Sequence, residues 1–529
     1  MREVKRLAVL LSALVLAACT TTPPPPPETP LPDVSGPATT LRVLAGSELA
    51  DLQPILEEAA RATGVTVKFT FTGSLEGAQT VADGKADGTF DALWFSSNRY
   101  LETIPEARGR LGSSARIMGS PVVLGLRKPV ADRLGWSTKQ PGWAEIAAAA
   151  GKGDFTFAMT DPAASNTGFS ALVAIASALD GSGRALDAAA IDRVAPQLAG
   201  FFAAQRVTAG SSGFLTDAFV AHNTQPPLDG LINYESSLVA LNKSGKLPEQ
   251  LTLVYPRDGV VSADYPLTLL NGSGDAARDA HKRLGDYLRF PGTQRKIADQ
   301  TARRPAVPGV ALPSGLPDKL SELPFPGTRD AVDALLTAYF DRLRRPSRTV
   351  YVLDTSGSMQ GERIEALKKS LSGLTGVDTS LTGKYCRFRS REDVVLLPFN
   401  QAPLPLRTFT VDAQNPQPSR DAIRAAIDGL VAAGDTAVYD SLIRAYDELT
   451  GTDRFLSVVL MTDGESNTGR SLADFTAFAA GKQVRVFPIL FGEAAEAQMR
   501  EVAAKTGGEV WDARGGDLAK VFCQIRGYQ

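Results

Sequence analysis

Histidine is nearly absent from this chain: two residues in 529, His222 and His281. A histidine-rich metal centre and a Ser-His-Asp catalytic set are both hard to build from that supply. An excess of charge of one sign is missing too. The chain has 56 basic and 58 acidic residues, a formal net charge of −2, so no basic surplus exists to hold nucleic acid. After the N-terminus no apolar run reaches the roughly eighteen residues of a membrane-spanning helix. Cysteine is limited to Cys19, Cys386 and Cys523. What is present in quantity is ordinary globular material, 43% hydrophobic and 22% charged, enough for about three folded units of roughly 150 residues.

The start of the chain is more specific. "MREVKR" is net basic and "LAVLLSALVLAA" is an apolar core, too short for a bilayer and well sized for a signal peptide. It ends in "LAAC", residues 16–19, which resembles the lipobox of bacterial lipoproteins. The resemblance implies lipidation (palmitate) at Cys19. It also implies anchoring of the chain at the cell membrane on its extracytoplasmic face, periplasm or cell surface, by lipid alone. An ordinary secretory signal that contains a cysteine is the other reading. Residues 20–40 carry the run "PPPPP", whose polyproline conformation makes a semi-rigid stalk. In an exported chain Cys386 and Cys523 meet an oxidising compartment and form a possible disulfide. Two free buried thiols is the alternative, since sequence does not show that they approach.

Residues 41–345 alternate strand and helix patterns, which implies a parallel α/β sheet with its site beyond the strand carboxyl ends. Those ends carry hydroxyls: Ser47 after "LRVLAG", Ser74 after "FTG", Ser96 and Ser97 after "FDALWF". Each alone reads as a helix cap; together they suggest a polar pocket. "ARIMGSPVVLGLRK" reads as one long strand and "LTLVYPRDGVVSADYPLTLL" as a strand pair. The order of "LRVLAGS", "FTGS", "FDALWFSS", "DPAASNTG" and "INYESS" resembles the type II periplasmic solute-binding proteins. That resemblance implies two lobes joined by crossings near 120–127 and 250–265. The cleft would be lined by Ser47, Ser74, Ser165, Asn166, Thr167 and Tyr234. Hydroxyls and helix-end N–H groups suit a small oxyanion, and suit a sugar or peptide almost as well. A cleft that serves only as a protein scaffold is a further reading.

A Pro-rich stretch and a helix-like connector, residues 312–346, lead into the last unit, 346–529. Strand patterns "TVYVLD", "DVVLLPFN", "FLSVVLMTDGES", "VRVFPILFG" and "GEVWDA" alternate with helices, with "LRTFTV" as an antiparallel partner. This is a doubly wound α/β pattern. Three loops at its strand ends carry oxygens: Asp354, Ser356 and Ser358 as D-x-S-x-S, Thr436 in "GDTAVYDSL", and Asp463 in "MTDGES". A hard cation needs about six oxygen ligands, and the lack of histidine and cysteine argues against zinc or copper.

These motifs resemble the metal-ion-dependent adhesion site (MIDAS) of von Willebrand factor A (VWA) domains. The resemblance implies Mg2+, or another hard cation such as Mn2+ or Ca2+. Ser356, Ser358 and Thr436 would be direct ligands, and Asp354 and Asp463 would act directly or through water. The last coordination position would go to a carboxylate of a partner protein. The loop reads "GDT" where that family commonly has "GGT"; Asp435 either tunes the metal or faces solvent. No P-loop, G-x-S-x-G elbow or nearby histidine supports catalysis, so the expectation is a non-enzyme. The expected layout is signal 1–19, linker 20–40, a two-lobed solute-binding-like module 41–345 and a Rossmann-like VWA domain 346–529. Its expected role is adhesion, assembly or sensing. A transporter's substrate-binding component for a small anion or solute is the alternative.

Overall fold

The computed structural model describes residues 34–221, 227–449 and 453–529. The signal segment with Cys19, most of the proline-rich stalk and His222 lie outside the described residues. Among the described residues, twelve strands serve the first module: β1 (Thr39–Ala45), β2 (Val65–Phe71), β3 (Ala92–Trp94), β4 (Leu111–Arg116), β5 (Met118–Arg127), β6 (Phe157–Thr160), β7 (Gln205–Ala209), β8 (Gly230–Tyr234), β9 (Leu251–Val254), β10 (Ser262–Ala263), β11 (Pro266–Leu270) and β12 (Arg304–Pro305). They form two sheets, β2-β1-β3-β11-β4 in the first lobe and β10-β5-β8-β6-β7 in the second, where β9 and β12 also pair β5. The helix Asn166–Asp180 is buried from Thr167 to Ser177, as its all-round apolar run "ALVAIASA" requires.

The chain crosses between lobes at Ile117 and at Asp264–Tyr265, where Ile117 N donates to Tyr265 O at 3.4 Å. The second crossing falls inside the expected 250–265. The first does not fall in 120–127, because β5 belongs wholly to the second lobe, pairing with β8, β9, β10 and β12. "ARIMGSPVVLGLRK" is therefore two strands in different lobes. The return stretch is three strands, with β9 and β10 in one lobe and β11 in the other. Apolar continuity reports burial and carries no information on which sheet is joined.

The C-terminal domain is one sheet of β13 (Ser347–Asp354), β14 (Asp393–Phe399), β15 (Arg407–Thr410), β16 (Phe455–Thr462), β17 (Arg485–Leu490) and β18 (Trp511–Asp512), in the order β15-β14-β13-β16-β17-β18. All pairs are parallel except β14 with β15. "GEVWDA" contributes only the two-residue edge strand β18. The connector forms the helix Arg329–Ala338 and a wider turn, Tyr339–Leu343. It packs on the second lobe, with Tyr339 edge-on to Phe202 at 4.9 Å between ring centres.

The two modules share a core. One buried apolar cluster holds Val207, Phe219 and Leu231 of the second lobe together with Tyr351, Leu367 and Phe388 of the C-terminal domain. Charge crosses the same boundary. Asp161 at the end of β6 faces Arg389 at 3.4 Å and Arg344 at 3.9 Å, all buried. Beside them Glu392 pairs with Arg526 at 2.7 Å and accepts from Arg389 N. Cys386 and Cys523 are joined as a disulfide, with Cα atoms 5.0 Å apart, which ties the helices Leu381–Cys386 and Leu518–Arg526 together. Burial acts to raise the Glu392 carboxyl, but Arg526, Arg389 and the Ser347 hydroxyl together outweigh it and hold the group down at about 2, from an ordinary 4.5.

Removing Arg526 strands that carboxylate, so Arg526→Met is expected to destabilise the protein by about 3–5 kcal/mol in urea denaturation. Because the folded value is depressed, the pair's contribution is complete above pH 4.5 and is lost as pH falls toward 2. Acid titration of stability should show that loss in the wild type and not in the variant.

Candidate functional site

The first oxygen-bearing loop begins where β13 ends. Asp354 is buried; its Oδ1 accepts from Ser356 N at 2.8 Å and its Oδ2 from Thr462 Oγ1 at 2.7 Å. Ser356 Oγ lies 3.0 Å from Ser358 Oγ, and Ser358 Oγ donates to Asp463 Oδ1 at 2.8 Å. The sheet register explains the meeting: β13 and β16 are parallel neighbours with Leu353 opposite Met461, so Asp354 and Asp463 leave adjacent strand ends. The threonine loop is stitched to both others. Gly357 N donates to Gly434 O at 2.8 Å and Ala433 N to Thr355 O at 2.7 Å, while Thr436 N donates to Asn467 Oδ1 at 2.9 Å. Gly434 has φ +84° and its missing side chain leaves room for Gln401. Burial pushes the Asp354 carboxyl above the usual carboxylate range; hydrogen bonds from Ser356 oppose this and the Asp463 charge reinforces it. Asp435 is exposed.

The cleft residues gather at a second place. Ser47, Ser74, Ser165, Asn166 and Tyr234 line one cavity of about 980 Å³. Asn166 Nδ2 donates to Tyr234 Oη at 3.1 Å, and burial pushes the Tyr234 phenol up to about 12 with the Glu48 charge adding to it. Thr167 does not reach the cavity surface. It is fully buried, with its hydroxyl 2.6 Å from Ser212 Oγ, because position two of the helix Asn166–Asp180 turns into the lobe.

Residues 41–300 match the family described as bacterial extracellular solute-binding protein, and residues 350–514 match the von Willebrand factor type A domain. The chain joins a bacterial extracellular solute-binding domain to a VWA domain. The solved structures it resembles include three periplasmic or binding proteins. The periplasmic binding protein AfuA from Actinobacillus pleuropneumoniae, with fructose-6-phosphate bound, is 12% identical over 57% of this chain and 98% of that one, TM-score 0.46. The sulfate-binding protein SubI from Mycobacterium tuberculosis is 19% identical over 56% and 96%, TM-score 0.40. Iron-bound HitA from Pseudomonas aeruginosa is 16% identical over 56% and 95%, TM-score 0.42. No curated protein matches the chain.

Sequence reasoning missed the charged residues of the cleft. Glu48 and Asp51 line the cleft beside Arg303, whose Nη1 contacts Asp51 at 2.7 Å. Burial is the main force raising both carboxyls. Glu48 stands directly after Gly46-Ser47 and could have been noticed there. The roof of the cavity could not, since it comes from the VWA domain: Tyr385, Arg389, Asp517, Lys520 and Gln524. That domain grips both lobes. Leu381 N donates to Gln79 Oε1 at 2.6 Å and Lys520 pairs with Glu76 in the first lobe. Arg485 Nη1 donates to Thr208 O at 2.9 Å, and Tyr528 packs edge-on to Phe214 at 4.8 Å, in the second.

Lys520→Glu places like charges opposite each other at the first-lobe contact. Hydrogen exchange should rise about fivefold or more in Ser74–Ala82 and Leu518–Arg526, and stay unchanged in β13 and β16.

Proposed function

We propose that this is a lipid-anchored extracytoplasmic protein whose VWA domain takes up a hard divalent cation and uses it to dock a carboxylate of a partner protein. Mg2+ is the first choice, with Mn2+ and Ca2+ as chemical relatives. Ser356, Ser358, Thr436, Asp354 and Asp463 are the residues that would hold it. In an octahedral site with metal–oxygen distances of about 2.1 Å, neighbouring ligands stand about 3.0 Å apart. The spacings of 3.0 Å between Ser356 Oγ and Ser358 Oγ and 2.8 Å from Ser358 Oγ to Asp463 Oδ1 support that fit. Bound there, the ion would supply a concentrated positive charge for a partner's carboxylate. The chain's own residues set the donors in place and leave Ser358, Glu465 and Asn467 exposed at the rim.

The observation that carries this reading is the direction the site faces. Asp354 and Asp463 lie at or just past the carboxyl ends of β13 and β16, whereas the solute-binding module meets the opposite edge. Arg345, just before β13, reaches Gln205 O, and Arg485, the first residue of β17, reaches Thr208 O. Eight residues of β13 put roughly 23 Å between those ends, so a partner can approach unhindered. The reading is of binding without catalysis; of the two histidines, His281 lies in the first lobe against Leu267 O at 3.0 Å. The lipobox-like "LAAC" supports the anchor.

For the cleft, a carrier for the VWA domain is the reading best supported. A transport component must open and close around its cargo, and here one domain holds both lobes. An oxyanion would meet the carboxylates of Glu48 and Asp51 beside Arg303, whose guanidinium is already paired with Asp51, so a solute, if taken there, is a neutral polar one. Pull-down from membranes should capture partners with the wild type in Mg2+ and lose them in EDTA or with Asp354→Ala; capture indifferent to both would sink the docking reading. In a thermal-shift screen of the full chain, sugars are expected to outperform sulfate, phosphate and molybdate. Stabilisation by an oxyanion instead would revive the transport reading.

A further inference from the structure

The Asp463 side chain has no solvent exposure, yet both its oxygens are occupied. Oδ1 accepts from Ser358, and Oδ2 accepts from Arg363 Nη1 at 2.6 Å. Arg363 stands in the first turn of the helix Glu362–Ser372, and the same Nη1 lies 3.4 Å from Ser358 O. Its path is kept open by Gly492, where a side chain would begin 3.3 Å from Arg363 Cζ. Asp354, the second buried carboxylate, takes its hydrogen bonds only from Ser356 and Thr462 among the described residues. Arg363 is thus the cation paired with Asp463, and at 38% exposure its side chain has solvent to move into.

Two carboxylates buried together need a positive charge nearby to stay ionised. A guanidinium supplies it without being able to lose its proton. It also repels a second cation a few ångströms away.

We propose that Arg363 is the built-in counter-cation of the VWA site, neutralising Asp463 when no divalent ion is bound and withdrawing toward solvent when one binds. The inference rests on the reading of this site as a divalent-cation site. It makes the empty site a stable state in its own right. It also sets the cation affinity below what the five oxygen donors alone would give, so that occupancy follows the surrounding divalent concentration. The position is legible only in three dimensions, since Arg363 and Asp463 are 100 residues apart.

The test uses the full chain, with Mg2+ and Mn2+ titrated by calorimetry and melting followed in EDTA and in saturating Mg2+. Arg363→Gln should bind both ions about fivefold or more tightly than the wild type. It should melt lower than the wild type in EDTA, with that deficit closing in Mg2+. Arg363→Lys keeps the charge and should fall between the two. Divalent binding by Arg363→Gln that is equal to or weaker than wild type overturns the counter-cation role alone. No uptake of either ion by any of the three proteins overturns the cation-site reading, and this inference with it.

Discussion

The arrangement of the whole molecule depends on Asp161 and the two arginines that close on it. A carboxylate removed from water must be matched by charge and hydrogen bonds. Asp161 at the end of β6 meets that demand with Arg389 of the VWA domain and Arg344 at the end of the connector. The VWA domain therefore cannot shift along the second lobe without leaving a bare buried charge. Burial, with Arg526 and Arg344 close by, also lowers the Arg389 guanidinium to about 10, a sign of how much positive charge is packed at this boundary. Apolar continuity from Leu231 and Phe219 to Tyr351 and Phe388 completes the attachment.

Everything functional follows from that seating. The helix Leu518–Arg526 and the disulfide-linked Leu381–Cys386 reach past the second lobe to Glu76 and Gln79 on the first, so the cleft acquires a roof and both lobes acquire a common brace. The same seating turns the carboxyl ends of β13 and β16 outward. One domain thus presents a closed edge to its own chain and an open edge to others. This asymmetry supports a role as a mounted docking module over one as a shuttle for solute.

Both sites also hold an internal charge where a ligand of that charge would be drawn. Glu48 sits in the cleft, and Arg363 sits on the Asp463 carboxylate. Such groups stabilise an empty site by satisfying buried polar atoms, and they narrow what can enter. On the readings proposed above, the cleft would discriminate against anions, and at the strand ends a guanidinium would compete with a divalent ion.

The sequence by itself determined the local pieces. Strand-then-helix alternation, the hydroxyls after "LRVLAG" and "FTG", and the spacing of Asp354, Ser356 and Ser358 are set by neighbours a few residues away, so they are readable along the chain. Parallel strand order is a regular consequence of that alternation, which is why Thr436 and Asp463 could be expected beside Asp354. Only the tertiary structure decided the lobe crossing at Ile117, the inward turn of Thr167, the pairing of Asp161 with Arg344 and Arg389, and the placing of Lys520 over Glu76. These join residues separated by tens to hundreds of positions, and they are fixed by burial and charge pairing between surfaces that no local pattern encodes. The oxygens at the strand ends belong to the sequence; the direction they face belongs to the fold.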